Sequence, residues 1–231
     1  MSFRGTVKRS LLRRAYRLRP DASLTAHQRF LRDGHNELLF AGQALDTSSV
    51  VVEVGGYLGD YADEIVTRYG CTVHVFEPVP QFAHALRSRF RESSSVRVHE
   101  CGIGLSESTT ELRLSADATG AWTTGDEITV RLRAWADLRQ EIGPTIDLMA
   151  VNIEGGEYQL IEDLHRAHAL PQIARLYIQF HRLHEASEQQ MQRRRRLISE
   201  SHDLTWSYDF VWERWDVRGR PDSVGTAESP D

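Results

Sequence analysis

The chain has 231 residues, of which 40% are apolar and 26% charged, and its formal net charge at pH 7 is −5. This length fits one α/β core and excludes two domains of ordinary size. We see no export signal and no apolar run near the roughly 20 residues of a membrane span, so we expect a cytoplasmic protein. Cys71 and Cys101 lack the spacing of a metal site, and we expect both to be reduced core residues.

Basic side chains are concentrated at the start of the chain. The first 20 residues carry seven arginine and lysine side chains and no acid, whereas the remainder is acidic. We interpret this arm as an amphipathic helix that packs on its own or a neighbouring subunit, which allows a homo-oligomer; the alternative is contact with an anionic membrane or polymer. The body lacks a basic face with interleaved aromatics, so nucleic acid is not an expected substrate.

Apolar runs and turn residues predict the elements in chain order. The predicted strands lie at 50–54, 73–76, 96–99, 109–114, 128–132, 146–153, 176–180, 204–208 and 210–215. The predicted helices lie at 60–69, around 82–90, after 157 and at 186–200. Residues 100–104 are predicted to form a turn, and Trp122 lies in a loop that can act as a lid. The pattern predicts a doubly wound, mostly parallel α/β sheet with an antiparallel edge hairpin.

Domain boundaries follow from the same pattern. Residues 1–46 are predicted to form the basic arm and a helical lead-in, and 47–217 a single domain. From Arg218 onward the composition predicts a disordered tail over 218–231.

The glycine spacing in the turn after the first strand distinguishes between two classes of cofactor. A dinucleotide fold uses G-x-G-x-x-G, whereas this chain has E-x-G-x-x-x-G, with Glu53, Gly55 and Gly59 at the fixed positions. Asp60 opens the next helix, where its charge opposes a diphosphate and favours a cationic sulfonium or ammonium. Glu77 ends the second strand, where a carboxylate can accept both ribose hydroxyls. These residues favour S-adenosylmethionine over NAD, although a glycine turn used only for packing is the alternative.

Four segments together resemble the FkbM-type methyltransferases. They are VVEVGGYLGDYAD, VHVFEPVPQFAHAL, VRVHECGIG and IDLMAVNIEGGEYQLIEDL, and the resemblance runs from about Val50 to Phe180. The resemblance implies a Rossmann-like class I methyltransferase core that uses S-adenosylmethionine to methylate a hydroxyl of a sugar, glycan or secondary metabolite.

The resemblance also assigns residues to the cofactor. Glu53, Gly55 and Gly59 would cradle its methionine part, Glu77 its ribose, and the turn from Glu100 to Ile103 its adenine. The full predicted cofactor set is Glu53, Gly55, Gly56, Tyr57, Gly59, Asp60, Glu77, Pro78, Cys101, Gly102 and Ile103. Many members have aspartate where this chain has Asn152. The missing carboxylate weakens the case for a divalent metal, so we predict no metal site.

Methylation of an alcohol needs a group that removes the hydroxyl proton. His181 follows a predicted strand and has a suitable intrinsic pKa, and Glu154 and Glu157 lie across the predicted cleft. We predict a catalytic set of His181, Glu154 and Asn152, in which Glu154 is the alternative base and Asn152 holds the substrate hydroxyl or the methionine ammonium. The alternative for His181 is a loop residue bonded to a backbone carbonyl. Glu157 is interpreted as a cap of its own helix.

Two other functions remain open from the sequence. One is an NAD-dependent oxidoreductase of similar fold, against which the missing G-x-G-x-x-G counts. The other is a non-catalytic, methyltransferase-like module that binds a partner through its basic arm. The acid and glycine positions at Glu53, Gly55, Gly59 and Glu77 argue against a decayed site.

Overall fold

The structure is a computed structural model that describes residues 22–34, 37, 39–113 and 127–219. The predicted basic arm, the Trp122 lid and residues 220–231 lie outside the described residues. The helices are α1 (Ala22–Arg32), α2 (Asp60–Tyr69), α3 (Pro80–Arg89), α4 (Trp135–Ile142), α5 (Glu157–Arg166) and α6 (Ser187–Ile198), with a 3₁₀ turn at Leu170–Gln172. The strands are β1 (Val50–Val54), β2 (Thr72–Phe76), β3 (Val96–His99), β4 (Gly102–Gly104), β5 (Ser108–Arg113), β6 (Glu127–Ala134), β7 (Leu148–Val151), β8 (Arg175–Ile178), β9 (His202–Tyr208) and β10 (Trp212–Val217).

A seven-stranded sheet with the order β3-β2-β1-β7-β8-β10-β9 forms the centre of the molecule. The pairs from β3 to β8 are parallel, and β10 runs antiparallel to both β8 and β9. This confirms the predicted doubly wound sheet and its antiparallel edge hairpin. The direction of winding reverses between β1 and β7, and ligands bind in such sheets at the carboxyl ends of the strands beside that reversal.

The central strands are apolar because helices cover both faces of the sheet. On β1, Val52 and Val54 pack in one core cluster with residues of α4 and α5, whereas Val51 packs in the other with residues of α1 and α2. All four residues of β7 are buried. This strand is shorter than the predicted 146–153, because a turn with positive φ at Glu154 and Gly155 follows it.

A second sheet of three strands, ordered β4-β6-β5, corrects the predicted turn at 100–104. Gly102–Gly104 forms β4, which pairs in parallel with β6, while the predicted strands at 109–114 and 128–132 correspond to β5 and β6, which pair antiparallel. A Cβ on Gly102 would lie 2.6 Å from the Leu132 side chain, so the glycine permits this close pairing. Leu112 and Ile128 of the hairpin pack on Val79 and Phe82, next to the loop that follows β2.

The edge hairpin is held by aromatic packing against α1. Phe30 contacts Tyr208 edge-on at 5.5 Å between ring centroids, and the Tyr208 hydroxyl donates to Asp33 at 2.9 Å.

Phe210, predicted to begin the last strand, lies in the connecting turn with a φ of 58°. Arg218, predicted to begin the tail, donates to Asp203 at 2.8 Å and so extends the ordered fold. In the described part of the chain, every helix is too short or too polar to cross a membrane.

Candidate active site

The acidic side chains singled out from the sequence meet at the carboxyl ends of β1, β2 and β7. Glu53 lies on β1, Glu77 directly follows β2, and Glu154 and Glu157 follow β7. His181 follows β8, which is the neighbour of β7. Because these strands are parallel neighbours, their carboxyl ends lie along the same edge of the sheet, beside the point where the direction of winding reverses.

Glu77 anchors the glycine turn through its carboxylate. Its Oε2 accepts the Tyr57 N–H at 3.0 Å, and its Oε1 accepts the Val79 N–H at 2.9 Å. Burial raises the pKa of Glu77, and the two backbone donors oppose that shift only in part. Tyr57 has a φ of 46°, and its half-exposed ring packs edge-on against Phe82. Each Glu77 oxygen keeps a second lone pair, so the side chain can still accept ribose hydroxyls.

The glycines of the turn are required by the protein's own packing. Gly55 has a φ of 94°, and a Cβ there would overlap the carbonyl oxygen of Asn152 on the neighbouring chain segment. Gly59 has a φ of 87°, and its Cβ would lie 2.6 Å from the Phe90 ring. Gly56 is similarly closed off by Val75. These contacts bring β1, the loop after β7 and α3 together around the turn.

Gly55→Ala is therefore expected to destabilise the fold by about 3 kcal/mol, from overpacking and positive-φ strain together. Denaturant unfolding of the purified variant measures this loss. Gly42→Ala is the matched control, because Gly42 also has a positive φ but has no atom within 4 Å of its added Cβ. The control should lose about 1 kcal/mol. Equal losses in the two variants would show that packing around Gly55 adds nothing.

Glu53 is one of three buried acids of the site, with Glu77 and Glu157. Only 5% of the residue is exposed, and its Oε2 has no hydrogen-bond partner among the described residues. Burial, followed by the nearby Glu77 carboxylate, raises the pKa of Glu53 well above its usual range. An unpartnered buried polar atom carries a free-energy cost of about 1–3 kcal/mol, which a ligand that supplies a donor can remove.

Asp60 lies apart from the buried acids. Its carboxylate pairs with Arg89 at 2.6 Å, and 86% of its side chain is exposed. Arg89 also binds Asp63 and the Leu58 carbonyl, so it ties the glycine turn to the first turn of α2. The geometry therefore favours Glu53 over Asp60 as the partner of a cationic group.

The remaining predicted cofactor residues border the same region. Pro78 is half-buried directly after Glu77. Cys101 and Ile103 direct their side chains into the core cluster that contains Phe76, and burial raises the pKa of the Cys101 thiol. Gly102 begins β4. Their predicted contact with adenine stays a prediction.

His181 and Glu157 form a hydrogen-bonded pair that the sequence analysis did not predict. The Nδ1 of His181 lies 2.8 Å from Oε1 of Glu157, a side chain with no exposed surface. The same oxygen accepts the Ile153 N–H at 3.0 Å, so Glu157 closes the turn before α5 rather than capping the helix from its own amides. When Nδ1 of the neutral ring donates to this oxygen, Nε2 is the nitrogen that can take up a proton.

The second ring nitrogen of His181, Nε2, faces the exposed side chain of Glu154. This nitrogen lies 3.8 Å from Oε2 of Glu154, whose side chain is 77% exposed. Burial alone lowers the pKa of His181, but the Glu157 hydrogen bond and the charges of Glu157 and Glu154 outweigh it, so the pKa is raised overall. Asn152 is exposed beside them, and its N–H donates to the Val54 carbonyl at 3.0 Å. Glu154 has a φ of 52°, and backbone strain of this kind is concentrated at functional sites.

The sequence matches the Methyltransferase FkbM domain over residues 53–210, which is more than half of the chain. The chain belongs to the FkbM methyltransferase family. Membership confirms the predicted methyltransferase class and its cofactor, S-adenosylmethionine, and sets aside the NAD-dependent alternative. No curated protein matched the sequence of this FkbM methyltransferase.

Solved structures of methyltransferases align with this chain at low sequence identity. A protein described as an rRNA methylase from Clostridium thermocellum aligns with a TM-score of 0.52 at 8% identity, covering 81% of this chain and 94% of that one. TrmK of M. capricolum, in complex with S-adenosylhomocysteine, aligns at 0.49 and 10% identity, covering 79% and 67%. The N-methyltransferase NodS of Bradyrhizobium japonicum aligns at 0.47 and 13% identity, covering 81% and 96%. The first of these shows a shared Rossmann-like methyltransferase fold.

The residues present fit the cofactor of the family. Oε2 of Glu53 is a buried acceptor with no partner in the described part of the chain, and Glu77 offers spare lone pairs beside an exposed aromatic ring at Tyr57. Among the described residues, no group of three or more histidine, cysteine, aspartate or glutamate side chains is arranged to hold a metal ion.

Proposed function

We propose that this FkbM methyltransferase methylates a hydroxyl oxygen of a small molecule, namely a sugar, glycan or secondary metabolite, with His181 as the general base. The observation that carries the proposal is the 2.8 Å contact between His181 and the fully buried Glu157. A carboxylate that holds one imidazole nitrogen orients the ring and raises the basicity of the other nitrogen. A neutral alcohol is a poor nucleophile, so this arrangement is of most use when the acceptor is a hydroxyl.

The position of each side chain suggests its role in binding the cofactor or the acceptor. When bound, S-adenosylmethionine supplies an already activated methyl group. Glu77 would hold the ribose and Glu53 the methionine part, with Tyr57, Gly55, Gly56, Gly59 and Pro78 forming the wall around them. The exposed amide of Asn152 and the exposed carboxylate of Glu154 would orient the acceptor, so that its hydroxyl hydrogen points at Nε2 of His181.

Charge supports a small neutral acceptor over a nucleic acid. Glu77 and Glu154 belong to the site, and carboxylates there repel a polyanion. Arg89, the basic residue beside the glycine turn, is already bound to two aspartates.

A methyl-transfer assay with labelled S-adenosylmethionine tests the proposal. The acceptor panel contains neutral polyhydroxylated compounds, primary amines and ribosomal RNA. We expect label only in the hydroxyl compounds, as alkali-stable methyl ethers. Label in amines or RNA alone would contradict the proposed acceptor class while leaving the methyltransferase assignment in place.

A further inference from the structure

Glu53 is a buried carboxyl group with too few partners for a permanent charge. The Ala62 backbone N–H, in the first turn of α2, is the donor that faces it, and its Oε2 has no partner among the described residues. An ionised carboxyl group buried in this way needs a paired cation or several donors.

The charged groups around Glu53 do not supply that cation. Glu77 and Asp60 are acids and raise the pKa of Glu53 further, after the larger effect of burial. Arg89 lowers it slightly, but its guanidinium is already bound to Asp60 and Asp63. Tyr61, on α2, has a buried hydroxyl that also lacks a partner among the described residues. Burial without a paired cation therefore favours the protonated form of Glu53 in the free protein.

Glu77 differs from Glu53 in the number of hydrogen bonds that its carboxyl group accepts, although both residues are 5% exposed. Each oxygen of Glu77 accepts a backbone N–H, and hydrogen bonds to the charged form favour ionisation. The two acids thus divide the roles, with Glu77 as a fixed acceptor and Glu53 as the group that changes its charge.

We propose that cofactor binding is coupled to proton release from Glu53. The inference rests on the proposed cofactor role of this site. In the free protein the carboxyl group is neutral, and arrival of the cationic ammonium of the cofactor's methionine part ionises it. The O–H bond of the acid breaks, the proton passes to solvent, and the resulting carboxylate accepts hydrogen bonds from the ammonium.

The sign of the pH dependence follows from this exchange. Raising the pH removes the proton that must otherwise be released, so affinity for the cofactor rises with pH. Between the pKa values of the bound and free states, affinity should rise about tenfold per pH unit, and about one proton should be released per bound cofactor. The measurement is kept below the pKa of the ammonium, about 7.7–8.0, so that the ammonium itself stays charged.

Calorimetric titrations in buffers of different ionisation enthalpy measure the released protons. S-adenosylmethionine and S-adenosylhomocysteine both carry the ammonium, so both should release a proton, whereas 5′-methylthioadenosine should release none. Glu53→Gln should abolish the release, flatten the pH dependence and lower affinity by about tenfold or more. Glu64→Gln is the control, since Glu64 lies on α2, the helix whose Ala62 N–H faces Glu53, and pairs with Arg68 at the surface; it should behave as wild type.

Infrared difference spectra of the wild-type protein give a second readout that needs no variant. Binding should remove the carbonyl band of one protonated carboxylic acid. A tightly binding cofactor that releases no proton and leaves that band unchanged overturns the proposal but not the enzyme class. Equal release by 5′-methylthioadenosine also overturns it, because the proton would then come from the ribose or adenine side. Failure of the cofactor to bind at all would instead refute the proposed function.

Discussion

His181→Ala is expected to lower kcat by about 100-fold or more while changing the affinity for S-adenosylmethionine less than twofold. The imidazole is held by Glu157 on one side and borders the open part of the site on the other, so its loss removes the proposed base without disturbing Glu77 or Glu53. Steady-state kinetics with a hydroxyl acceptor and calorimetry with the cofactor measure the two quantities. A variant that binds normally and turns over at the wild-type rate would transfer the role to Glu154.

Glu157→Gln tests how the imidazole is positioned. The base must be neutral to act, so kcat rises with pH through the pKa of His181, which lies above its ordinary value of 6.5. Removing the Glu157 charge lowers that pKa, so the acid limb of the pH–rate profile should move to lower pH and kcat should fall by about tenfold at its plateau. A purely structural role for Glu157 would lower stability and leave the position of the acid limb unchanged.

Glu77→Ala is expected to weaken cofactor binding by at least about tenfold, because a hydrogen bond to a charged group contributes about 1.5–3 kcal/mol. The same change leaves the N–H groups of Tyr57 and Val79 without their acceptors. The free energy of unfolding should therefore fall by about 1–3 kcal/mol as well. Calorimetric titration and denaturant unfolding of the same preparation separate the two effects.

Glu92→Ala is the control for loss of an acid on this side of the molecule. Glu92 follows α3, and its side chain is 83% exposed and pairs with Arg91. This control should bind and unfold as the wild type does. If Glu77→Ala remains folded and binds the cofactor within twofold of wild type, the ribose assignment is wrong.

Local patterns were sufficient to predict most of the main sheet. The apolar run of β1, the glycine turn and the alternation of strands and helices are all encoded within a few residues of each other. The acids at Glu53 and Glu77 were found because functional groups of such sheets follow strand ends. Family resemblance then distinguished a methyltransferase from other nucleoside-binding proteins.

Long-range pairings explain what the sequence did not predict. Glu157 and His181 are 24 residues apart and meet only because β7 and β8 are parallel neighbours. Asp60 pairs with Arg89 across 29 residues, and the sequence analysis did not predict this ion pair. The three-residue β4 was mistaken for a turn because its pairing partner, β6, lies much further along the chain.

Calorimetric titration with S-adenosylmethionine, using NAD as the comparison ligand, tests the central claim most directly. We predict saturable binding of S-adenosylmethionine at one site with micromolar affinity, and no binding of NAD. A folded protein that binds NAD, or that binds neither ligand, would contradict the assignment of the acidic cleft between β1 and β7 as a methyltransferase site.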